Sequence, residues 1–281
     1  MNFKLSISPC PNDTFIFDAI INKKIDTLGF EFEVYFHDIE ELNERAKYEN
    51  YDITKLSCFS YFNVMDKYVI LNSGAALGFG VGPLLISNAH LDLSQDRLSS
   101  HKVLLPGVNT TANFLFTYAY PNLKNKFFSR FDLIENAIVS QQFDLGVIIH
   151  EGRFTYLKKG LNKICDLGAV WQDKTNMPVP LGCIAIKRGI DKTKAILISD
   201  LIAKSIEYAF KNPEDSLDFT RKHAQELEYD TIKKHINLYV NKFSIDLGNQ
   251  GKEALLSMYD FACRPENGTI KSDSAQRKLF L

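Results

Sequence analysis

The feature that most constrains the fold is an alternation of strand-like and helix-like segments that runs from the start of the chain to about residue 190. Such alternation favours a mostly parallel sheet covered by helices. Strands are predicted for residues 3–8, 30–36, 51–56, 101–105 and 144–149. Helices are predicted for residues 14–21, 38–47 and 133–141, and two more from about residues 59 and 110. The sequence therefore predicts an α/β protein.

The last part of the chain has a different pattern. From about residue 190 onward the apolar spacing is helical to the end, with helices predicted over residues 195–210, 229–240 and 253–262. Between residues 74 and 82 a glycine-rich run predicts a strand and a crossover in which backbone approaches backbone. This order predicts two α/β lobes, with a central cleft between them at the carboxyl ends of strands.

Composition narrows the class of protein. Hydrophobic residues make up 45% and charged residues 24% of the 281 positions, which is typical of a packed globular chain. The formal net charge of -1 argues against a nucleic-acid-binding protein, because such proteins carry an excess of basic residues. No secretory leader and no run of ~20 apolar residues is evident, so we expect a cytoplasmic protein without a membrane partner. The five scattered cysteines predict neither a disulfide framework nor a metal site.

Two polar segments follow predicted strands of the first lobe. The first is Ser8-Pro9-Cys10-Pro11-Asn12-Asp13-Thr14-Phe15, in which two prolines predict a loop as far as Asp13. Asn12 and Asp13 could cap the following helix or contact a ligand. The second is Lys55-Leu56-Ser57, whose lysine and serine could meet an anionic ligand together, although a lone lysine is more often solvated.

A third polar segment opens a helix of the second lobe. Asn109-Thr110-Thr111-Ala112 places small polar residues at a helix N-terminus. The backbone N–H groups and the helix dipole at such a position favour a carboxylate or a phosphate. Helix capping is the alternative interpretation, and the two are compatible.

The most informative histidine is His150. Of the six histidines, only this one follows a buried-type apolar strand and precedes a charged, glycine-containing turn, Glu151-Gly152-Arg153. A histidine at a strand end can act as a general base, since its charge changes near neutral pH. Glu151 could orient the ring, and Arg153 could pair with Glu151 or with an anionic substrate. A purely structural histidine is the alternative.

These segments together resemble the 1,4-dihydroxy-6-naphthoate synthase family of the futalosine route to menaquinone. The resemblance rests most on the strings SPCPNDTF (residues 8–15) and IHEGRFTY (residues 149–156). Weaker matches are KLS (55–57), GPLL (82–85), TTA (110–112), PLG (180–182) and DLG (246–248), together with Asn241. Cys183 departs from the pattern, where a glycine is expected.

The resemblance implies a fold, a substrate and residue roles. The fold would be that of a type II periplasmic binding protein, with one lobe from residues 1–88 and 190–281 and the other from 89–189. The enzyme, a lyase, would convert cyclic de-hypoxanthinyl futalosine to 1,4-dihydroxy-6-naphthoate by ring opening and C–C cleavage. His150 would be the general base, and the KLS and TTA segments would bind substrate. No cofactor or metal is implied, and a homodimer is compatible with the family.

Three alternative functions share this fold. A pyrimidine-precursor synthase-type protein would require a histidine-rich site, and the six histidines of this chain do not favour it. A chorismate dehydratase would be a sister enzyme, and the HEGRF string (residues 150–154) argues against it. A non-catalytic small-molecule-binding protein would bind ligand without turnover.

Overall fold

The computed structural model describes residues 1–89, 100–224, 227–264 and 279–281. The chain folds into two compact units. The first comprises Met1–Gly78 and Pro180–Leu281, and the second comprises Phe79–Val179. The second unit is thus inserted in sequence between the two parts of the first.

The first unit is built on a six-stranded sheet. Its strands are β1 (Asn2–Ile7), β2 (Glu31–Phe36), β3 (Ile53–Ser57), β4 (Tyr68–Ile70), β5 (Ala76–Gly78) and β11 (Val179–Lys187). The strand order is β2-β1-β3-β11-β4, and β5 pairs with β11. Strands β1, β2 and β3 run parallel, whereas β11 is antiparallel to β3 and β4.

The helices of the first unit come from both ends of the chain. They are α1 (Pro11–Ile21), α2 (Ile39–Ala46), α3 (Cys58–Tyr61), α8 (Lys192–Lys211), α9 (Pro213–His223), α10 (Tyr229–Tyr239), α11 (Lys242–Ile245) and α12 (Gly248–Ala262). The core of this unit joins strands of the sheet to α1 and α8, through side chains such as Leu5, Phe17, Ile184 and Ile202. The helices predicted near 195–210, 229–240 and 253–262 are confirmed. The further prediction of helix to the chain end includes residues 265–278, which lie outside the described residues.

The second unit is built on a five-stranded sheet. Its strands are β6 (Leu84–Ser87), β7 (Val103–Leu105), β8 (Lys126–Phe128), β9 (Leu145–Ile148) and β10 (Asn162–Asp166), in the order β10-β6-β9-β7-β8. Its described helices are α4 (Thr111–Ala119), α5 (Ile134–Val139), α6 (Gly152–Thr155) and α7 (Leu167–Thr175), with 3-10 turns at Phe131–Leu133 and Tyr156–Lys159. Its core includes Ile86, Leu104, Ile134 and Ile148.

The prediction of mostly parallel sheets is wrong. In the second unit β7 is parallel to β8 and β9, but β6 is antiparallel to both β9 and β10. The apolar runs of β6 and β11 look like those of parallel strands, because both faces of each strand are buried. Burial on both faces hides strand direction from the sequence pattern.

The prediction of a loop as far as Asp13 is also wrong. Helix α1 begins at Pro11, with Cys10 as its N-cap residue. A proline in the first helical turn forfeits no hydrogen bond, and its fixed φ suits the helix. Of the two prolines, Pro9 lies outside the helix and Pro11 lies in its first turn. This places the side chains of Asn12 and Asp13 in the first turn.

The boundaries between the two units in the sequence differ from those predicted. The sequence placed the transitions after residues 88 and 189, whereas the units divide after residues 78 and 179. Strand β6 belongs to the sheet of the second unit because it pairs with β9 and β10. Strand β11 lies in the sheet of the first unit, paired with β3.

Candidate functional site

The carboxylate of Asp13 is the centre of a buried polar network in the first unit. Its Oδ2 accepts hydrogen bonds from the backbone N–H and the hydroxyl of Ser8, at 3.2 and 2.7 Å. Its Oδ1 accepts from Asn12 Nδ2 and Lys55 Nζ, both at 2.7 Å. Four donors occupy the acceptor capacity of one carboxylate. Asp13, which is 0% exposed, therefore serves to hold its neighbours in place.

Lys55 is buried, contrary to the solvated alternative for a lone lysine. Its side chain passes Gly182 and reaches Asp13, and the residue is 4% exposed. Gly182 of β11, which pairs with Ser57 of β3, makes this path possible. A Cβ on Gly182 would lie 2.8 Å from Lys55 Cε, closer than carbon atoms pack. The glycine of the PLG segment is thus needed for the position of the ammonium group.

Ser57 is held by a residue that the sequence analysis did not single out. Asn43 of α2 is 0% exposed. Its Oδ1 accepts from the backbone N–H of Ser57 at 2.9 Å, and its Nδ2 donates to Ser57 Oγ at 3.0 Å. A serine hydroxyl that accepts in this way can donate its own hydrogen elsewhere. Leu56, between Lys55 and Ser57, is fully buried and could meet a ligand only through its backbone.

In the second unit, the predicted helix start at Thr110 is confirmed. Thr110 is the N-cap of α4, and its Oγ1 accepts from the N–H of Asn113 at 3.2 Å and donates to the carbonyl of Gly107 at 2.8 Å. Thr111 and Ala112 form the first turn, and both are buried. The N–H groups of a first turn have no acceptor within their own helix. The capping interpretation is therefore correct, and it is compatible with anion binding at the same turn.

His150 lies in the turn between β9 and α6. Its φ is 54°, in the left-handed region that side-chain-bearing residues rarely adopt. Its imidazole ring contacts the ring of Phe131 edge-on, with 4.8 Å between the centroids. Upstream, Gly146 lets α5 pack directly on β9, since a Cβ there would lie 2.8 Å from side chains of Ile134 and Ile138. A rigid strand thus leads into a strained turn that carries the histidine.

The guanidinium of Arg153 pairs with Asp166 at 2.6 Å, and not with Glu151 as the sequence suggested. It also donates to the carbonyls of Gly82 at 2.7 Å and Gly80 at 3.0 Å. Glu151 lies just before α6, where its carbonyl accepts from the N–H of Phe154 at 2.8 Å. The sequence did not indicate Asp166, because it lies 13 residues away from Arg153 in β10.

Three residues that hold the candidate side chains were not predicted: Asn43 and Gly182 in the first unit, and Asp166 in the second. A buried asparagine in an amphipathic helix looks like a surface residue, and the partner of an arginine has no fixed spacing. Gly182 alone had a signal, because it ends the PLG segment. Among the described residues, no three His, Cys, Asp or Glu side chains gather in a group suited to a metal ion. None of the described helices has the length and apolarity that a membrane crossing requires.

Comparison with solved structures establishes the fold. A crystal structure of an Archaeoglobus fulgidus protein superimposes with a TM-score of 0.87 at 30% identity, covering 93% of this chain and 96% of that one. The periplasmic aliphatic sulphonate binding protein SsuA of Escherichia coli gives a TM-score of 0.68 at 9% identity, covering 99% of this chain and 90% of its own. The predicted periplasmic-binding-protein-like fold is confirmed.

Comparison of sequences establishes the family. A 1,4-dihydroxy-6-naphtoate synthase of Thermus thermophilus is 39% identical over 91% of this chain and 92% of its own length. A protein of the same name from Streptomyces coelicolor is 34% identical over 90% of this chain and 89% of its own. Residues 3–264 match the family described as menaquinone biosynthesis. Because the family match and the two relatives each cover about nine-tenths of the sequence, the chain belongs to the menaquinone biosynthesis family.

Proposed function

We propose that this protein is a lyase that converts cyclic de-hypoxanthinyl futalosine to 1,4-dihydroxy-6-naphthoate, with His150 as the general base. The observation that carries the proposal is the match over about nine-tenths of the chain to two relatives named for this product. The position of His150 in a turn after a buried strand supports it. The proposed chemistry uses the acid and base groups of side chains alone, without a cofactor or metal.

The role of His150 follows from the chemistry of the reaction. Ring opening and C–C cleavage begin when a base removes a proton from the substrate, and the cleavage releases a ribose-derived fragment beside the naphthoate. A correctly placed base accelerates such a step by about 10²- to 10⁴-fold. Formation of an aromatic naphthoate then makes the overall reaction favourable. The edge contact with Phe131 restrains the imidazole, so that its orientation is set before substrate arrives.

The other residues would bind the polar groups of the substrate, which carries a carboxylate and sugar hydroxyls. In the first unit, Lys55 and Ser57 would donate hydrogen bonds, while Asp13 and Asn12 would hold the lysine in place. In the second unit, the first turn of α4, at Thr110, Thr111 and Ala112, would favour the carboxylate through the helix dipole. Glu151 would lie beside the base.

The test is turnover of cyclic de-hypoxanthinyl futalosine by purified protein, with product identified by mass spectrometry. The base variant is His150→Asn, because asparagine tolerates the left-handed backbone at this position. The matched control is His101→Asn, a second histidine of the same unit, 3.8 Å from Asp144. We expect product from wild type and from the control, and a fall in kcat of about 10²-fold or more for His150→Asn.

Each outcome has a distinct meaning. Equal turnover by wild type and His150→Asn would keep the lyase and assign the base to another residue, Glu151 first. Absence of product from a folded wild type would refute the synthase. Binding of the substrate without turnover would then favour the non-catalytic binding protein, and dehydration of chorismate would favour the sister enzyme.

A further inference from the structure

The guanidinium of Arg153 is fastened to three oxygen atoms. It donates to the carbonyl of Gly82 through Nη1 and to the carbonyl of Gly80 and Asp166 Oδ2 through Nη2, at 2.7, 3.0 and 2.6 Å. Its side chain is only 17% exposed. A planar guanidinium bound at several oxygens has one permitted orientation. Arg153 therefore fixes the first turn of α6 relative to these three oxygens.

The two carbonyls belong to a segment that cannot easily move. Gly80 and Gly82 have φ of 68° and 150°, which only glycine adopts without strain. A Cβ on Gly82 would lie 2.7 Å from Gly168 Cα, and a Cβ on Gly168 would lie 2.0 Å from the carbonyl oxygen of Val81. Two glycines thus allow the segment to pack directly against the start of α7. Arg153 is held by backbone that is itself closely packed.

Asp166 joins the same assembly from the other side. Its Oδ1 caps α7 by accepting from the N–H of Gly168 at 3.0 Å and of Ala169 at 3.1 Å. Its Oδ2 accepts from Arg153. One carboxylate therefore connects helix α7 to helix α6 at Arg153, which lies three residues after His150.

His150 is the residue that needs this restraint. A non-glycine residue with φ of 54° is strained and persists only where the surroundings impose this conformation. Its helix, α6, has four residues and cannot hold the turn by itself. Phe131 contacts the ring but does not fix the backbone. Arg153, three residues later in the chain, restrains the backbone that follows this turn through its three hydrogen bonds.

We infer that Arg153 is a positioning residue, which keeps the turn of His150 in its left-handed conformation through Gly80, Gly82 and Asp166. This inference rests on the proposed function of His150. It assigns to Arg153 a role different from substrate binding, because three of the five N–H donors of the guanidinium already bind Gly82, Gly80 and Asp166. It also gives Asp166 a role in the site, through the arginine.

The first test compares steady-state kinetics of four variants with those of wild type. Arg153→Gln removes the charge, Arg153→Lys keeps it but reaches fewer oxygens, and Asp166→Asn weakens the pair while retaining a helix cap. The matched control is Arg45→Gln, which breaks an arginine–carboxylate contact of the same length, 2.6 Å, in the first unit. Displacement of a catalytic group by about 1 Å costs about 10²-fold. We expect that fall in kcat for Arg153→Gln with KM changed by less than about threefold, a partial loss for Arg153→Lys and Asp166→Asn, and no change for the control.

A double variant separates positioning from substrate binding. In the His150→Asn background no base remains to be positioned, so adding Arg153→Gln should lower the residual kcat by less than about twofold. A substrate-binding arginine would instead weaken the affinity for substrate equally in both backgrounds. A tenfold weaker substrate affinity in both backgrounds would overturn the inference.

The second test does not depend on turnover. The Cε1–H signals of the six histidines are recorded by NMR in folded protein, and His150→Asn identifies the signal of His150. We expect Arg153→Gln to shift, broaden or split this signal while His101 is unchanged, and Arg45→Gln to leave both unaltered. An unchanged His150 signal in Arg153→Gln would overturn the inference, whatever happens to kcat. If wild type fails to make product, the proposed function fails, and this measurement alone decides the role of Arg153.

Discussion

The substitution Gly182→Ala tests whether the path of the Lys55 side chain requires a residue without a Cβ at position 182. The new Cβ would lie 2.8 Å from Lys55 Cε and 3.2 Å from the carbonyl oxygen of Leu56. Strand β11 is hydrogen-bonded to β3 at this point, so the backbone cannot withdraw. The flexible partner is the lysine side chain. Its displacement separates Nζ from Asp13, with which it forms a buried ion pair of 2.7 Å.

The magnitude follows from that lost contact. A hydrogen bond to a charged group contributes about 1.5–3 kcal/mol, and a buried charge that loses its partner costs more. Asp13 keeps the three other donors described above, which limits the loss. We expect the free energy of unfolding to fall by about 2 kcal/mol. For a chain of 281 residues, with an unfolding entropy of about 2.1 cal/mol/K per residue, that lowers Tm by about 3–4 °C.

Thermal unfolding followed by circular dichroism measures this shift. The matched control is Gly189→Ala, where nothing lies within 4 Å of an added Cβ. It controls for the effect of replacing glycine on the unfolded chain. In the background Lys55→Ala, which lacks Cε, the penalty of Gly182→Ala should disappear. Equal Tm values for the two alanine variants, or an undiminished penalty without Lys55, would refute the reasoning.

Three further predictions concern stability. Burial lowers the pKa of Lys126 to about 8. The charged form therefore costs folding free energy at neutral pH, and stability rises as pH increases from about 8 towards the ordinary pKa of lysine. Lys126→Met should raise stability at pH 7 by about 1 kcal/mol after allowance for solvent screening and should show no gain at pH 10.5, and a pH-independent difference would contradict this. Asn43→Ala leaves the N–H of Ser57 without an acceptor and should cost about 2–3 kcal/mol in urea unfolding, and a cost below about 0.5 kcal/mol would contradict it. Thr110→Ala removes the cap of α4 and should cost about 1 kcal/mol in the same assay, whereas Thr110→Ser should cost much less.

Local patterns predicted much of the fold. Apolar periodicity located five of the eleven described strands and most of the described helices. Helix α2 lies within the predicted range 38–47, and Asp38 is its N-cap, since its Oδ1 accepts from the N–H groups of Glu40 and Glu41. The glycine-rich crossover was also predicted, and Gly82 does approach the backbone of Gly168. These features depend on neighbours close in sequence. Such neighbours are visible without a structure.

What sequence could not provide depends on distant neighbours. The antiparallel course of β11 is set by its pairing with β3 and β4, more than a hundred residues earlier in the chain. The partner of Arg153 is fixed by the packing of β10, and the burial of Lys55 by the absence of a side chain at Gly182. His150 could be singled out as a candidate because its signal is local, a buried strand followed by a polar turn. Its left-handed backbone has no such signal.

The return of β11 to the first unit has a consequence for how the protein is made. Within the described residues, the edge of β3 opposite β1 pairs with β11, and β11 is synthesised after the second unit. Until residue 187 has emerged, β3 presents an unpaired edge and apolar side chains such as Ile53 to other chains. The chain is therefore most prone to aggregation during the period of synthesis before β11 has emerged. A truncation after the second unit exposes that edge permanently and abolishes the Lys55 site with it.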